Sequence, residues 1–312
     1  MAIVKTNLNG DEVEYDDSEF EILTNCYNKE KYLHYIGNGK NITNPKGNTS
    51  CYSMFEDFEG TNLDLSNFNT HNITNMGYMF FYCQNLKSLN LSNFNTKNVV
   101  DMNGMFCDCV NLKYLNLSNF DTSKTTNMGS MFNNCFNLEQ LDLSNFNTRE
   151  VENMNGMFCE CRNLKELNVS NFKTENVTDM FFMFEGCVNL EYLNLSNFNT
   201  MKVVDIGGMF FNCKKLKRLN LSSFNTNNAN NLDEMFKKCN NLKELDISSF
   251  NFTKDKKISD MFWGCINLEK IKVSSDYSEF FTNNKKSLFK KYENINIIFV
   301  SKLDRTINSL FY

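Results

Sequence analysis

The sequence predicts an α/β repeat solenoid, capped at both ends, with one short parallel strand and one short helical turn in each 26-residue coil. Two observations predict it. The stretch LNLS at Leu89 returns as LNLS at Leu115, LDLS at Leu141, LNVS at Leu167, LNLS at Leu193 and LNLS at Leu219, each time 26 residues further on. A second apolar set follows in the same rhythm, seen as Met102, Met105, Phe106 and Cys109, or Met154, Met157, Phe158 and Cys161. A unit of this size cannot bury its apolar side alone and does so only against its neighbours.

Positions are numbered from the Leu of LxLS. Position one runs Leu63, Leu89, Leu115, Leu141, Leu167, Leu193, Leu219, Leu245 and Ile271, with no insertion between them. Position three is also aliphatic, so the two face the same way on an extended segment. This gives one short strand per coil, and stacked coils set these strands about 4.8 Å apart in a parallel sheet. Positions fourteen, seventeen, eighteen and twenty-one are spaced as a helical stripe, which predicts a helical turn on the opposite side. That pairing is the leucine-rich-repeat plan. Phe68, Phe94, Phe120, Phe146, Phe172, Phe198, Phe224 and Phe250 form one column, read as a core spine. Columns of Ser (from Ser66 to Ser248) and Asn (from Asn67 to Asn197) follow each strand and are read as polar groups that bond the backbone where it turns.

Three segments result: an N-terminal cap at 1–50, about eight 26-residue coils over 51–273, and a C-terminal cap at 274–312. CYSMFEDFEG at Cys51 reads as a degraded half coil whose Met-Phe pair is one residue out of register. SEFFTNNKKSLFKKY reads as an amphipathic helix and INIIFV as a closing strand that covers the last open edge. Lys285, Lys286, Lys290 and Lys291 are taken as a solvated face.

Eight of the twelve cysteines, from Cys83 to Cys265, occupy position twenty-one. A column at rung spacing does not suit disulfides, whose Cβ atoms lie about 3.8 Å apart, so buried free thiols are expected. The CxC pairs at Cys107 with Cys109 and at Cys159 with Cys161 invite zinc. They lie two coils, or about 10 Å, apart, too far for one tetrahedral site. No metal and no cofactor is expected.

The formal net charge is −5, with Lys and Arg scattered along the coils, which argues against nucleic acid as a partner. No apolar run has the roughly 18 residues that a membrane span needs. The start, MAIVKTNLNGDEVEYDD, lacks the pattern of a secretory signal, which predicts a cytosolic chain or a mature form. Sequons at Asn90, Asn116, Asn194 and Asn220 share one face at rung spacing, so glycans are not expected there. With only His34 and His71, no phosphate-binding loop and no convergent catalytic set, the chain reads as a non-enzyme.

Where the repeats differ, they are free to serve a partner. Position twenty-six carries Tyr114, Gln140, Glu166, Tyr192, Arg218 and Glu244 on the exposed, concave strand face. A weaker second set, Phe81, Tyr82, Phe181, Phe211 and Trp263, stands on the outer side of the turns.

The unit LSNFNTxNVxNMxxMFxxCxNLKxLNLS over about residues 51–273 resembles the BspA-like leucine-rich-repeat family, including the repeat of mycoplasma surface lipoproteins. The resemblance implies a cell-surface or secreted protein that binds host proteins or mediates adhesion. Ser stands where many relatives carry Pro at the strand's end, and the chain shows no lipid-attachment Cys near its start. A non-enzymatic protein-binding or adhesion module is the expected function, with an intracellular scaffold or effector, located in the cytoplasm, as the alternative.

Overall fold

Equivalent positions of adjacent coils are tied by backbone hydrogen bonds in the computed structural model, which describes residues 2–289 and 294–301. On the side of the Met-Phe pair, alternate amides cross to the next coil. Met102, Gly104, Phe106 and Asp108 donate to the carbonyls of Asn127, Gly129, Met131 and Asn133 at 2.8–3.0 Å. The amides between them fold back within their own coil: Met105, Cys107 and Cys109 donate to Met102, Gly104 and Phe106. The segment is therefore a chain of linked turns, and the expected helical turn is absent from the described coils. The reason lies in the backbone. Positions sixteen and twenty are left-handed, as at Gly104 (φ 60) and Asp108 (φ 61), and a right-handed helix admits no such residue. Apolar spacings of three and four serve linked turns as well as they serve a helix. Gly208 shows why glycine suits position sixteen: besides its φ of +57, a Cβ there would sit 2.0 Å from Phe182 Cε1.

The strand side also departs from expectation. Short parallel strands occur as β5 (Tyr192–Asn194) paired with β6 (Arg218–Asn220), and as β7 (Glu244–Asp246) paired with β8 (Lys270–Ser274). In earlier coils the side is extended, and a single bridge joins Tyr114 to Gln140. Each extended segment, paired or not, is ended by the residue at position two. Asn90, Asn116, Asp142 and Asn168 each accept, through Oδ1, the amide of the Ser two residues on, which removes that amide from any ladder. The Ser column thus supplies its amide, and the capping side chain is the Asx before it.

Inside, like side chains lie over like. Phe80, Phe106, Phe132, Phe158, Phe184, Phe210, Phe236 and Phe262 stack with centroids 5.6–5.8 Å apart and planes within 9°. The second Phe column is buried as expected, with Phe172 and Phe198 at 6.5 Å. Asn at position five pins the coil before it: Asn171 Nδ2 donates to the carbonyls of Leu143 and Phe146 at 2.9 and 2.8 Å.

Both ends break the period. Two antiparallel hairpins, β1 (Ile3–Leu8) with β2 (Asp11–Asp16) and β3 (Phe20–Thr24) with β4 (Lys31–Tyr35), precede the first coil. They attach through the Tyr35 amide to the Met54 carbonyl, 2.8 Å. The half coil at Cys51 absorbs its missing residue, since Phe55 still stacks on Phe80 at 5.5 Å. After β8, helix α1 (Ser278–Phe289) seats Phe281 and Phe289 in the core, and β9 (Asn296–Val300) pairs parallel with β8. Lys286 is exposed and Lys285 half-buried, while Lys290 and Lys291 lie outside the described residues.

Candidate functional site

Alternation along each extended segment turns the Leu columns inward and position twenty-six outward. Tyr114, Gln140, Glu166, Tyr192, Arg218 and Glu244 are all exposed, and they form one row along successive coils. Register fixes the neighbours: Tyr114 lies beside Gln140, Tyr192 beside Arg218, and Glu244 beside Lys270. The Tyr114 hydroxyl is 3.1 Å from Glu139 Oε2, and this bond to a carboxylate pushes its pKa up.

A groove of about 890 Å³ opens at the C-terminal end of this row, which is within the size range of ligand sites. Tyr192, Arg218 and Glu244 line it, as do four lysines that sequence reasoning missed: Lys217, Lys243, Lys270 and Lys272. Cations are therefore concentrated at this end rather than scattered. Lys217 Nζ pairs with Glu191 at 2.7 Å, and that hydrogen bond lowers the Glu191 pKa and raises that of Lys217. Lys217 also stands 5.8 Å over the Tyr192 ring. Lys270 pairs with Glu244 at 3.1 Å and Lys272 with Asp246 at 3.6 Å. The signal that could have found this cluster is the Lys at position twenty-five of two consecutive coils, Lys217 and Lys243, followed one coil later by Lys270 and Lys272. A smaller depression of about 330 Å³ lies further along the row, against Glu139, Gln140 and Lys165.

The outer aromatics divide into two groups. Tyr82 meets Phe81, Phe81 meets Tyr78, and Tyr78 meets Tyr52 and, through it, Tyr32 of β4, in a run of ring contacts at 5.5–5.9 Å. Phe181 meets Phe182, whose ring lies 6.4 Å from Phe211. Lys237 and Lys238 bridge Phe211 to Trp263, each 5.3–5.5 Å from both rings. Trp263 and Tyr82 are 39% and 45% exposed, whereas Phe81, Phe181 and Phe211 are half-buried, so the outer side carries less open apolar surface than the sequence suggests.

The thiols are built as structure. In the position-twenty-one column each Sγ donates to a Phe carbonyl one coil back, as Cys109 does to Phe80 at 3.1 Å and Cys161 to Phe132 at 3.2 Å. Burial pushes the Cys265 thiol up to about 12. Of the CxC pairs, Cys159 donates to Glu185 Oε2 at 3.0 Å, while Cys107 contacts Asp108 at 3.3 Å. A protonated, buried thiol is a poor nucleophile. Among the described residues, no group of three or more His, Cys, Asp or Glu side chains is placed to hold a metal ion, and no helix is long and apolar enough to cross a membrane.

Against this geometry, the family model described as Mycoplasma protein of unknown function, DUF285, matches residues 49–166, 134–219, 160–276 and 187–302. The chain belongs to this family. The four overlapping matches follow from the repeat itself, since the DUF285 pattern can be laid on several starting coils. The first match begins at residue 49, beside the half coil at Cys51, and leaves the two N-terminal hairpins outside the DUF285 region. No curated protein matches the chain.

Proposed function

We propose that this chain is a non-enzymatic protein-binding or adhesion module, a leucine-rich-repeat solenoid of the BspA-like kind that meets its partner with the strand face. One observation carries the reading. Inward positions one and three repeat almost without change, whereas the outward row Tyr114, Gln140, Glu166, Tyr192, Arg218 and Glu244 differs at nearly every coil and faces solvent. A rigid stack holds such side chains in place before binding, which limits the entropy lost on association. Tyr and Arg are the residue types that most often dominate interface energetics.

The test replaces Tyr114, Tyr192 and Arg218 together with Ala. The full-length variant is expected to lose capture of partners from host extract and from lysate, with an unchanged urea unfolding midpoint. Capture that survives would remove the strand face from contention. The residues before the first coil and after β8 are read as caps, and the surface or a secreted state as the location. The twelve free thiols favour a second reading, an intracellular scaffold or effector. Localising the full-length product separates the two.

A further inference from the structure

Strand-side pairing is interrupted at several coils, and one interruption, the β6–β7 seam, lies within the groove. β5 pairs with β6 and β7 pairs with β8, which pairs in turn with β9, but among the described residues no ladder joins β6 to β7. Two side-chain features coincide with the interruption. Leu219 of β6 is only partly buried, whereas the other members of its column, Leu63 through Ile271, are at most 9% exposed. Lys217 and Lys243 occupy the same position in consecutive coils, and both line the groove. The seam thus leaves an apolar floor, Leu219 and Leu245, under a cationic rim.

Part of that rim has no counter-charge. Lys217, Lys270 and Lys272 are held by Glu191, Glu244 and Asp246, but among the described residues no carboxylate is paired with Arg218 or Lys243. The imbalance extends beyond the groove. Residues 1–211 hold 14 Lys and Arg against 26 Asp and Glu, whereas residues 212–312 hold 18 against 11. In a chain of net charge −5, the groove sits in the positive part, which draws in anionic partners.

We propose that the β6–β7 seam binds an extended acidic segment of a protein partner, its carboxylate held by Arg218 and Lys243 and an aliphatic side chain laid on Leu219 and Leu245. This rests on the reading of the strand face as the partner-binding surface. In an extended peptide, residues two apart face the same way, so an acid and an aliphatic residue at that spacing reach the rim and the floor together. A phosphate backbone fits less well, because it has nothing to cover the leucines and would meet Glu244 and Asp246 on the groove wall.

Fluorescence anisotropy on the full-length chain tests this with a labelled peptide repeating Glu-Ser-Leu-Ser. Replacing its Glu with Gln, or its Leu with Ser, is expected to weaken binding at least about tenfold, and added salt to weaken the acidic peptide selectively. Arg218→Glu with Lys243→Glu is expected to abolish binding, and the milder Arg218→Gln with Lys243→Gln to reduce it, both with unchanged unfolding midpoints. Lys97→Ala, exposed several coils away and outside the row, is expected to leave peptide binding intact. Absence of binding, equal binding of the Gln peptide, or indifference to both charge variants would overturn the seam. Partner capture that is lost on Tyr114→Ala yet survives both seam variants would overturn the seam alone and leave the strand-face reading standing.

Discussion

Cys109 Sγ lies 3.1 Å from the carbonyl oxygen of Phe80, one coil back, and donates to it. The same relationship recurs from Cys83 with Phe55 to Cys265 with Phe236, so a column of thiols stitches the stack along its length. A small side chain is needed there, and a hydrogen-bond donor improves on a methyl group because the Phe carbonyl is otherwise buried.

This column makes the fold sensitive to alkali. A thiol in the unfolded chain ionises near its ordinary value of 9, while burial holds Cys265 protonated up to about 12 and raises Cys239 beside it well above the ordinary range. Unfolding therefore releases protons above pH 9, and stability that is fully present below that pH falls as pH rises through the window from 9 to about 12. Thermal melts at pH 7 to 10 are expected to show a plateau followed by a decline. At pH 8 a thiol reagent should label exposed Cys26 in the folded chain and all twelve cysteines in urea. Rapid labelling of the column in the folded state would contradict it.

Phe158 sits between Phe132 and Phe184, with centroids at 5.8 and 5.6 Å. Phe158→Ala empties a fully buried site that has aromatic neighbours on both sides, and is expected to cost about 3–5 kcal/mol in urea unfolding. Coils in a stack contact only their neighbours, so the loss at a central coil should also divide the transition, with the N-terminal and C-terminal halves melting apart. Hydrogen exchange on either side of residue 158 reads this directly.

Much of the architecture was legible because it is periodic. The columns at Leu89, Phe94 and Cys109 report inward positions without any knowledge of the backbone between them. The backbone itself was less legible. Met102, Met105, Phe106 and Cys109 have helical spacing, yet left-handed residues such as Asp108 leave no mark in a pattern of apolar residues. Asn90 stands in the sequence as the head of a sequon, whereas in the fold its Oδ1 accepts from Ser92 and ends the extended segment. The row at position twenty-six was visible as variation. Its cationic end was not, because Lys217 and Lys243, Lys270, and Lys272 stand at three different places in the repeat and meet only around the groove.

Asn171 donates to the carbonyls of Leu143 and Phe146 at 2.9 and 2.8 Å and reaches that of Ser144 at 3.4 Å, and in the later coils the chain itself offers the comparison. Ser223 holds the same position and reaches a single carbonyl, that of Leu195, at 3.0 Å. Asn171→Ala leaves these backbone acceptors without that donor and is expected to cost about 1–3 kcal/mol. Asn171→Ser should retain one bond and lose less. Urea midpoints of the two variants in parallel decide it, and equal losses would mean that the hydroxyl does not stand in for the amide.

Lys256 is 8% exposed, and its ammonium is closed over the carbonyls of Thr226, Asn227 and Ala229 at 2.8, 3.1 and 2.6 Å. It belongs to the coil in which Phe252 replaces the Thr of earlier coils, and Phe252 turns its ring to Phe281 of α1 at 5.0 Å. The loop above the previous coil is thus held by the lysine, while the aromatic joins the C-terminal helix to the stack. Lys256→Met keeps the apolar stem but strips three carbonyls of their donor. The expected cost is about 1–3 kcal/mol, with exchange of amides in α1 accelerated ahead of those in the central coils. Unchanged protection in α1 would show that the helix is seated by Phe281 and Phe289 without help from the loop.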